Sequence, residues 1–201
     1  MANEVSKSVK ELLKQQHLEI GIKDCGHHLI IIVDISGSMN ERQKNNIIKL
    51  QQLQSILTTF YRTCGFKLHL VSFSDLAQLS SGEFLDDVLT LTSHGSTIMS
   101  EGLKAVLLLY DTLHEPSRAI LLSDGQITEE EDAVWSQVYL FTSKSTPMII
   151  DTIGFGIGVN ERLMKEIANK TGGTYYHADN IGGVLGKLLD IEVRSYLEWK
   201  K

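Results

Sequence analysis

Short apolar runs rich in β-branched residues alternate along this chain with stretches whose apolar residues recur every three or four positions, and no other feature restricts its fold as much. Leu29-Ile-Ile-Ile-Val33 is apolar throughout, as a strand buried on both faces must be, and Asp34 ends it. From about Glu41 to Cys64, Ile47, Leu50, Leu53, Leu57, Phe60 and Tyr61 line one helical face, and Gly65 supplies the stop. Phe66 to Phe73 reads as a second strand, and Ala77 to Leu79 as a short edge strand closed by the Ser80-Ser81-Gly82 turn. Leu103, Val106, Tyr110 and Leu113 mark a second helix, which ends near Glu115-Pro116 because proline cannot continue the ladder. Ala119-Ile-Leu-Leu122 is a further buried strand. Thr128 reads as the N-cap of the next helix, with the acidic run Glu129 to Asp132 complementing its positive end. Met148 to Gly154 is a fifth strand, Glu161 to Asn169 a helix closed by Gly172-Gly173, and Thr174 to His177 a sixth strand. A last helix covers about Ile181 to Trp199.

This alternation predicts an α/β fold, a doubly wound and mostly parallel sheet with helices on both faces. The 201 residues are 42% hydrophobic and 22% charged, which excludes a disordered or low-complexity chain and suffices for one core. Without a repeat or a linker, residues 27–201 read as a single domain. Residues 1–26 read as an N-terminal arm, helical around Val5, Val9, Leu12 and Leu13 and strand-like at Leu18, Ile20 and Ile22. A net charge of −6 with no basic cluster argues against nucleic acid as a partner. No apolar run approaches the roughly 20 residues of a membrane span. Lys7, Lys10, Glu11 and Lys14 leave no room for the apolar stretch of a signal peptide, so the expected location is the cytoplasm. Export by another route, or a signal already removed, would leave the same sequence. Cys25 and Cys64 are not spaced as metal ligands and fall at the sheet end opposite the candidate site. A disulfide between them is conceivable, but two reduced thiols fit a reducing compartment.

Ligands of open α/β sheets bind outside the carboxyl ends of the strands. Asp34 ends the first strand in Asp34-Ile35-Ser36-Gly37-Ser38, and Asp124 ends the fourth in Ser123-Asp124-Gly125. Between them in sequence comes the polar loop His94-Gly95-Ser96-Thr97. If the first and fourth strands are neighbours, the three loops meet at one crevice lined by carboxylate and hydroxyl oxygens, a ligand set for a hard octahedral cation. Each residue taken singly has a plainer role. An aspartate at a strand end is commonly a turn former, Ser36 and Ser38 can cap a helix, and Thr97 alone means little.

Taken together, Asp34-x-Ser36-x-Ser38, Thr97 and Asp124-Gly125 resemble the metal-ion-dependent adhesion site of von Willebrand factor A (VWA) domains, over about residues 27 to 199. The resemblance is to stand-alone soluble bacterial members. It implies that Ser36, Ser38 and Thr97 face Mg2+ or Mn2+ with their hydroxyls, while Asp34 and Asp124 bind directly or through water. It also implies the strand order 3-2-1-4-5-6, with strand 3 an antiparallel edge. The function implied is a metal-dependent protein-binding adaptor, not an enzyme, whose partner supplies a Glu or Asp to the ion. A MoxR-type AAA+ ATPase, or a kinase and phosphatase system, is the kind of partner such proteins serve.

The rival reading is a metal-dependent phosphohydrolase of haloacid-dehalogenase type, in which Asp34 attacks phosphate or Mg2+ activates water. Such enzymes use a second aspartate two positions later, where this chain has Ser36. Gly154-Phe-Gly156-Ile-Gly158 has its third glycine one residue early for a dinucleotide fingerprint and reads as a strand-to-helix turn. Gly182-Gly183-Val-Leu-Gly186-Lys187 has the wrong spacing for a phosphate loop, and Leu188 stands where a Ser or Thr is required. Of the seven histidines, His94 alone falls at the crevice, where a rim contact is expected.

Overall fold

Strand β1 (His28–Asp34) is buried along its whole length, as its unbroken apolar sequence requires. The computed structural model describes residues 27–42, 46–80, 83–113, 117–156, 158–178 and 181–199. The N-terminal arm and Cys25 lie outside the described residues. β1 pairs in parallel with β2 (Lys67–Phe73) on one side and β4 (Ser117–Ser123) on the other. β5 (Ile149–Phe155) and β6 (Tyr175–Ala178) extend the parallel sheet, and β3 (Ala77–Leu79) closes the other edge antiparallel to β2. The order is therefore β3-β2-β1-β4-β5-β6, as expected.

Successive side chains of a strand point to opposite faces, so a strand in the middle layer must be apolar at every position. Leu29, Ile31 and Val33 pack against α1 (Lys49–Tyr61), the short α2 (Phe84–Thr90) and α6 (Ile181–Trp199). Ile30 and Ile32 face α3 (Met99–Leu113), α4 (Glu131–Thr142) and α5 (Glu161–Thr171). Each such side chain, fully removed from water, stabilises the fold by about 1.5–3 kcal/mol before chain entropy is counted. This double layer holds β1 and β4 rigidly side by side. The loops leaving their carboxyl ends are thereby brought together.

Three local expectations change. Helix α1 begins at Lys49 and not near Glu41. The chain first makes a 3-10 turn at Gly37–Asn40, Arg42 bridges Ile48, and Asn46 adopts a left-handed φ of 62°. The Lys49 N–H donates to the Glu41 carbonyl at 3.0 Å, and Ile47, assigned to the helical face from its spacing, is left 44% exposed. Helix α2 was not legible, because its only buried residues, Phe84 and Val88, make a single i, i+4 contact. Thr128 does not cap α4. Glu130 occupies that position without a side-chain cap, and Glu131 and Asp132 form the acidic first turn.

Candidate metal centre

Asp34 is the pivot of the site. It is 0% exposed, with Oδ1 accepting the Ser36 N–H at 2.8 Å and Oδ2 accepting the Ser123 hydroxyl at 2.7 Å. Burial pushes its carboxyl up to about 6; the hydrogen bonds from Ser36 and Ser123 work against this, and the neighbouring charge of Asp124 adds to it. Among the described residues no basic side chain is paired with it. The turn after Asp34 then presents two hydroxyls, with Ser36 buried and its Oγ 3.1 Å from that of Ser38.

The loop carrying Thr97 is tied to this turn through the backbone. His94 N–H donates to the Ile35 carbonyl at 2.9 Å, and Gly37 N–H donates to the Gly95 carbonyl at 3.0 Å. Gly95 has a φ of 70°, and a Cβ there would run into the Asp75 carboxylate, so glycine is required on both counts. Asp75 in turn accepts the Ser96 N–H at 2.9 Å. Thr97 itself is 5% exposed, with its N–H donating to Thr128 Oγ1 at 3.0 Å and its carbonyl accepting the Thr128 N–H at 3.1 Å.

Pairing of β1 with β4 puts Val33 opposite Leu122, so the turns at Asp34 and Asp124 leave the sheet side by side. Asp124 is 3% exposed. Its Oδ1 accepts the Gln126 N–H at 3.2 Å, and its Oδ2 lies 3.8 Å from the Lys49 ammonium. Gly125, at a φ of 73°, turns its N–H back onto Ser123 Oγ at 2.8 Å. The fold therefore gathers the three segments bearing Asp34, Ser36, Ser38, Thr97 and Asp124 at one end of the sheet. His94 is exposed at the rim, with Nδ1 3.1 Å from Ser74 Oγ.

The residues fit a hard divalent cation. A carboxylate buried without a cationic partner, a second one beside it and three hydroxyls are oxygen donors of the kind Mg2+ and Mn2+ take. Among the described residues no three His, Cys, Asp or Glu side chains are grouped as metal ligands, so any ion held here would need the hydroxyls as well.

Five further residues support the site, none of them expected there from the sequence. Ser123, next to Asp124, links the two aspartate turns through its hydroxyl. Thr128 and Asp75 hold the Thr97 loop, and Glu129 accepts the Ser100 N–H at 2.8 Å at the start of α3. Lys49, at the first position of α1, brings its ammonium to Asp124. The glycines of Gly154-Phe-Gly156-Ile-Gly158 end β5 and turn toward α5, with Gly156 and Gly158 at positive φ, and those of Gly182-Gly183-Val-Leu-Gly186 lie in the first turns of α6.

The fold that carries this site is that of a von Willebrand factor A domain. Among solved structures it is similar to a von Willebrand factor type A protein from Catenulispora acidiphila, at 19% identity and a TM-score of 0.72, over 85% of this chain and 42% of that one. It is similar also to the ArnB paralog VWA2 from Sulfolobus acidocaldarius, at 22% identity and a TM-score of 0.58, over 81% of this chain and 43% of that one. Manganese-loaded TRAP protein from Plasmodium vivax matches at 22% identity and a TM-score of 0.58, over 83% of this chain and 72% of that one. This chain thus spans less than half of the first two proteins. No protein-family model and no curated protein matches the sequence. Among the described residues no helix is long and apolar enough to cross a membrane.

Proposed function

We propose that this protein is a divalent-metal-dependent protein-binding module, in which Asp34, Ser36, Ser38, Thr97 and Asp124 hold Mg2+ or Mn2+ and a partner supplies a Glu or Asp carboxylate. The observation that carries the reading is Asp34, a fully buried carboxylate that the described residues provide with hydrogen bonds but with no counter-cation. A divalent ion bound there would supply that charge and keep an exchangeable position for the incoming carboxylate. Ser123 and the Ser36 N–H orient Asp34, while Thr128 and Asp75 hold the Thr97 loop in place.

The same geometry favours binding over hydrolysis. Both oxygens of Asp34 are engaged by the chain's own donors and neither is exposed, which is unlike a carboxylate poised to attack phosphorus. A AAA+ ATPase of the MoxR type, or a kinase and phosphatase system in the cytoplasm, remains the proposed setting.

Adding Mg2+ or Mn2+ to metal-free protein should raise its melting temperature, since an ion that binds only the native state at 100 times its Kd stabilises it by about 2.7 kcal/mol. Asp34→Ala should abolish the shift. A metal-induced shift unchanged in that variant would refute the assignment, whereas capture of a partner that EDTA reverses would extend it.

A further inference from the structure

Lys49 brings a positive charge into the metal centre, and the resemblance assigns it no part. It opens α1 with its side chain only 8% exposed, and its Nζ lies 3.8 Å from Asp124 Oδ2 and 2.7 Å from Glu41 Oε2. Its ammonium passes close to Gly156, where a Cβ would lie at ordinary contact distance, 3.8 Å. Glu41 is the exposed half of the pair, a carboxylate 65% exposed at the end of the turn that carries Ser38.

Building on the metal-dependent reading, we infer that Lys49 is a second cationic contact for the partner's carboxylate, and that Glu41 is an internal carboxylate that occupies it until the partner arrives. A divalent ion is neutralised by Asp34 and Asp124 together, so a neutral centre would attract an acidic side chain weakly. The Lys49 ammonium makes the centre net positive once Glu41 leaves it. Displacing Glu41 costs little desolvation, because that side chain already faces water, while the ammonium beneath is shielded from solvent and screened less than a surface charge. Specificity for a carboxylate then comes from two cations side by side, the ion and Lys49. Lys49 also repels the ion, so it exchanges metal affinity for ligand affinity.

The test uses Mn2+ as metal and acetate as the simplest carboxylate, read by the relaxation of water protons on the protein-bound ion, which falls as acetate replaces its water. Lys49→Met keeps the aliphatic stem, and it should tighten Mn2+ and weaken acetate by roughly tenfold, about 1.4 kcal/mol. Glu41→Gln should strengthen acetate about threefold in the wild-type background and have no effect in the Lys49→Met background, because it acts through Lys49. Since Glu41 is exposed, its variant is readable even if Lys49→Met folds poorly. Equal acetate affinities in wild type and Glu41→Gln overturn the inference while leaving the metal reading intact. Failure of the wild type to bind Mn2+ overturns both.

Discussion

Asp34 and Asp151 are both 0% exposed on parallel strands of the same sheet, and the chain treats them in opposite ways. Asp151 lies toward the amino end of β5. Its Oδ1 accepts the Thr174 N–H at 2.7 Å and the guanidinium of Arg194, and its Oδ2 is 3.5 Å from the guanidinium of Arg118. Arg118, itself 2% exposed, also donates to Ser195 at 3.0 Å and to Glu198 at 2.5 Å, which fastens the end of α6 to β4. Two acidic and two basic side chains balance there. At the carboxyl end, Lys49 meets Asp124 and Glu41, while Asp34 has hydrogen bonds and, among the described residues, no basic partner. A buried charge must be paired or it is costly. The closed end pairs its carboxylate from within, and on the proposed reading the open end leaves that work to a cation from outside.

The strongest way to break the comparison is to unbalance the closed end. Arg118→Met should destabilise the protein by about 3–5 kcal/mol, read by urea or thermal unfolding, because it strips Asp151 of one guanidinium and leaves Glu198 without its partner. A loss under about 1 kcal/mol would mean that the cluster does not hold α6 to the sheet.

The open end should respond with the opposite sign. Asp34→Asn keeps the shape and the Ser36 hydrogen bond but removes a charge whose folded pKa is raised to about 6. In metal-free protein at pH 7 it should therefore stabilise by about 2 kcal/mol, while losing the metal-induced rise in melting temperature. Destabilisation of the metal-free form would show that Asp34 already has its counter-charge.

Glu192 offers a further test at the closed end, where it accepts the backbone N–H of Gly65 at 2.8 Å. Burial raises its carboxyl from 4.5 to about 7, with the hydrogen bonds of Gly65 and Cys64 lowering it only in part. The folded state thus holds a proton that the unfolded state releases. The stability this contributes is full below about pH 4.5 and is lost as the pH rises through about 7. Unfolding free energies across that range should fall by about 2 kcal/mol more in wild type than in Glu192→Gln. Matching slopes would mean that burial does not raise this carboxyl in the folded protein.

Much of the fold was legible because the evidence for it is local. The β-branched run at Leu29–Val33 and the three-and-four spacing of Leu50, Leu53, Leu57 and Phe60 state strand and helix within single segments. Asp34, Ser36, Ser38, Thr97 and Asp124 were expected as a set from their resemblance to a known motif, and the structure brings the three segments that carry them to one end of the sheet. Helix α2 was missed because seven residues with two buried contacts carry too little period, and Thr128 was misread because an N-cap and a loop clamp use the same residue type.

What the sequence by itself determined is therefore the order of β and α segments, the doubly wound class that this order permits, and the oxygen character of the candidate site. Only the tertiary structure decided which charges meet. Lys49 reaches Asp124 and Glu41 because the chain delays α1 with a left-handed residue at Asn46, and Arg118, Asp151 and Arg194 converge from three separate elements. Periodicity records which face of one segment is apolar, whereas the partner of a buried charge depends on side chains distant in sequence whose separation is set only when the sheet and its helices pack.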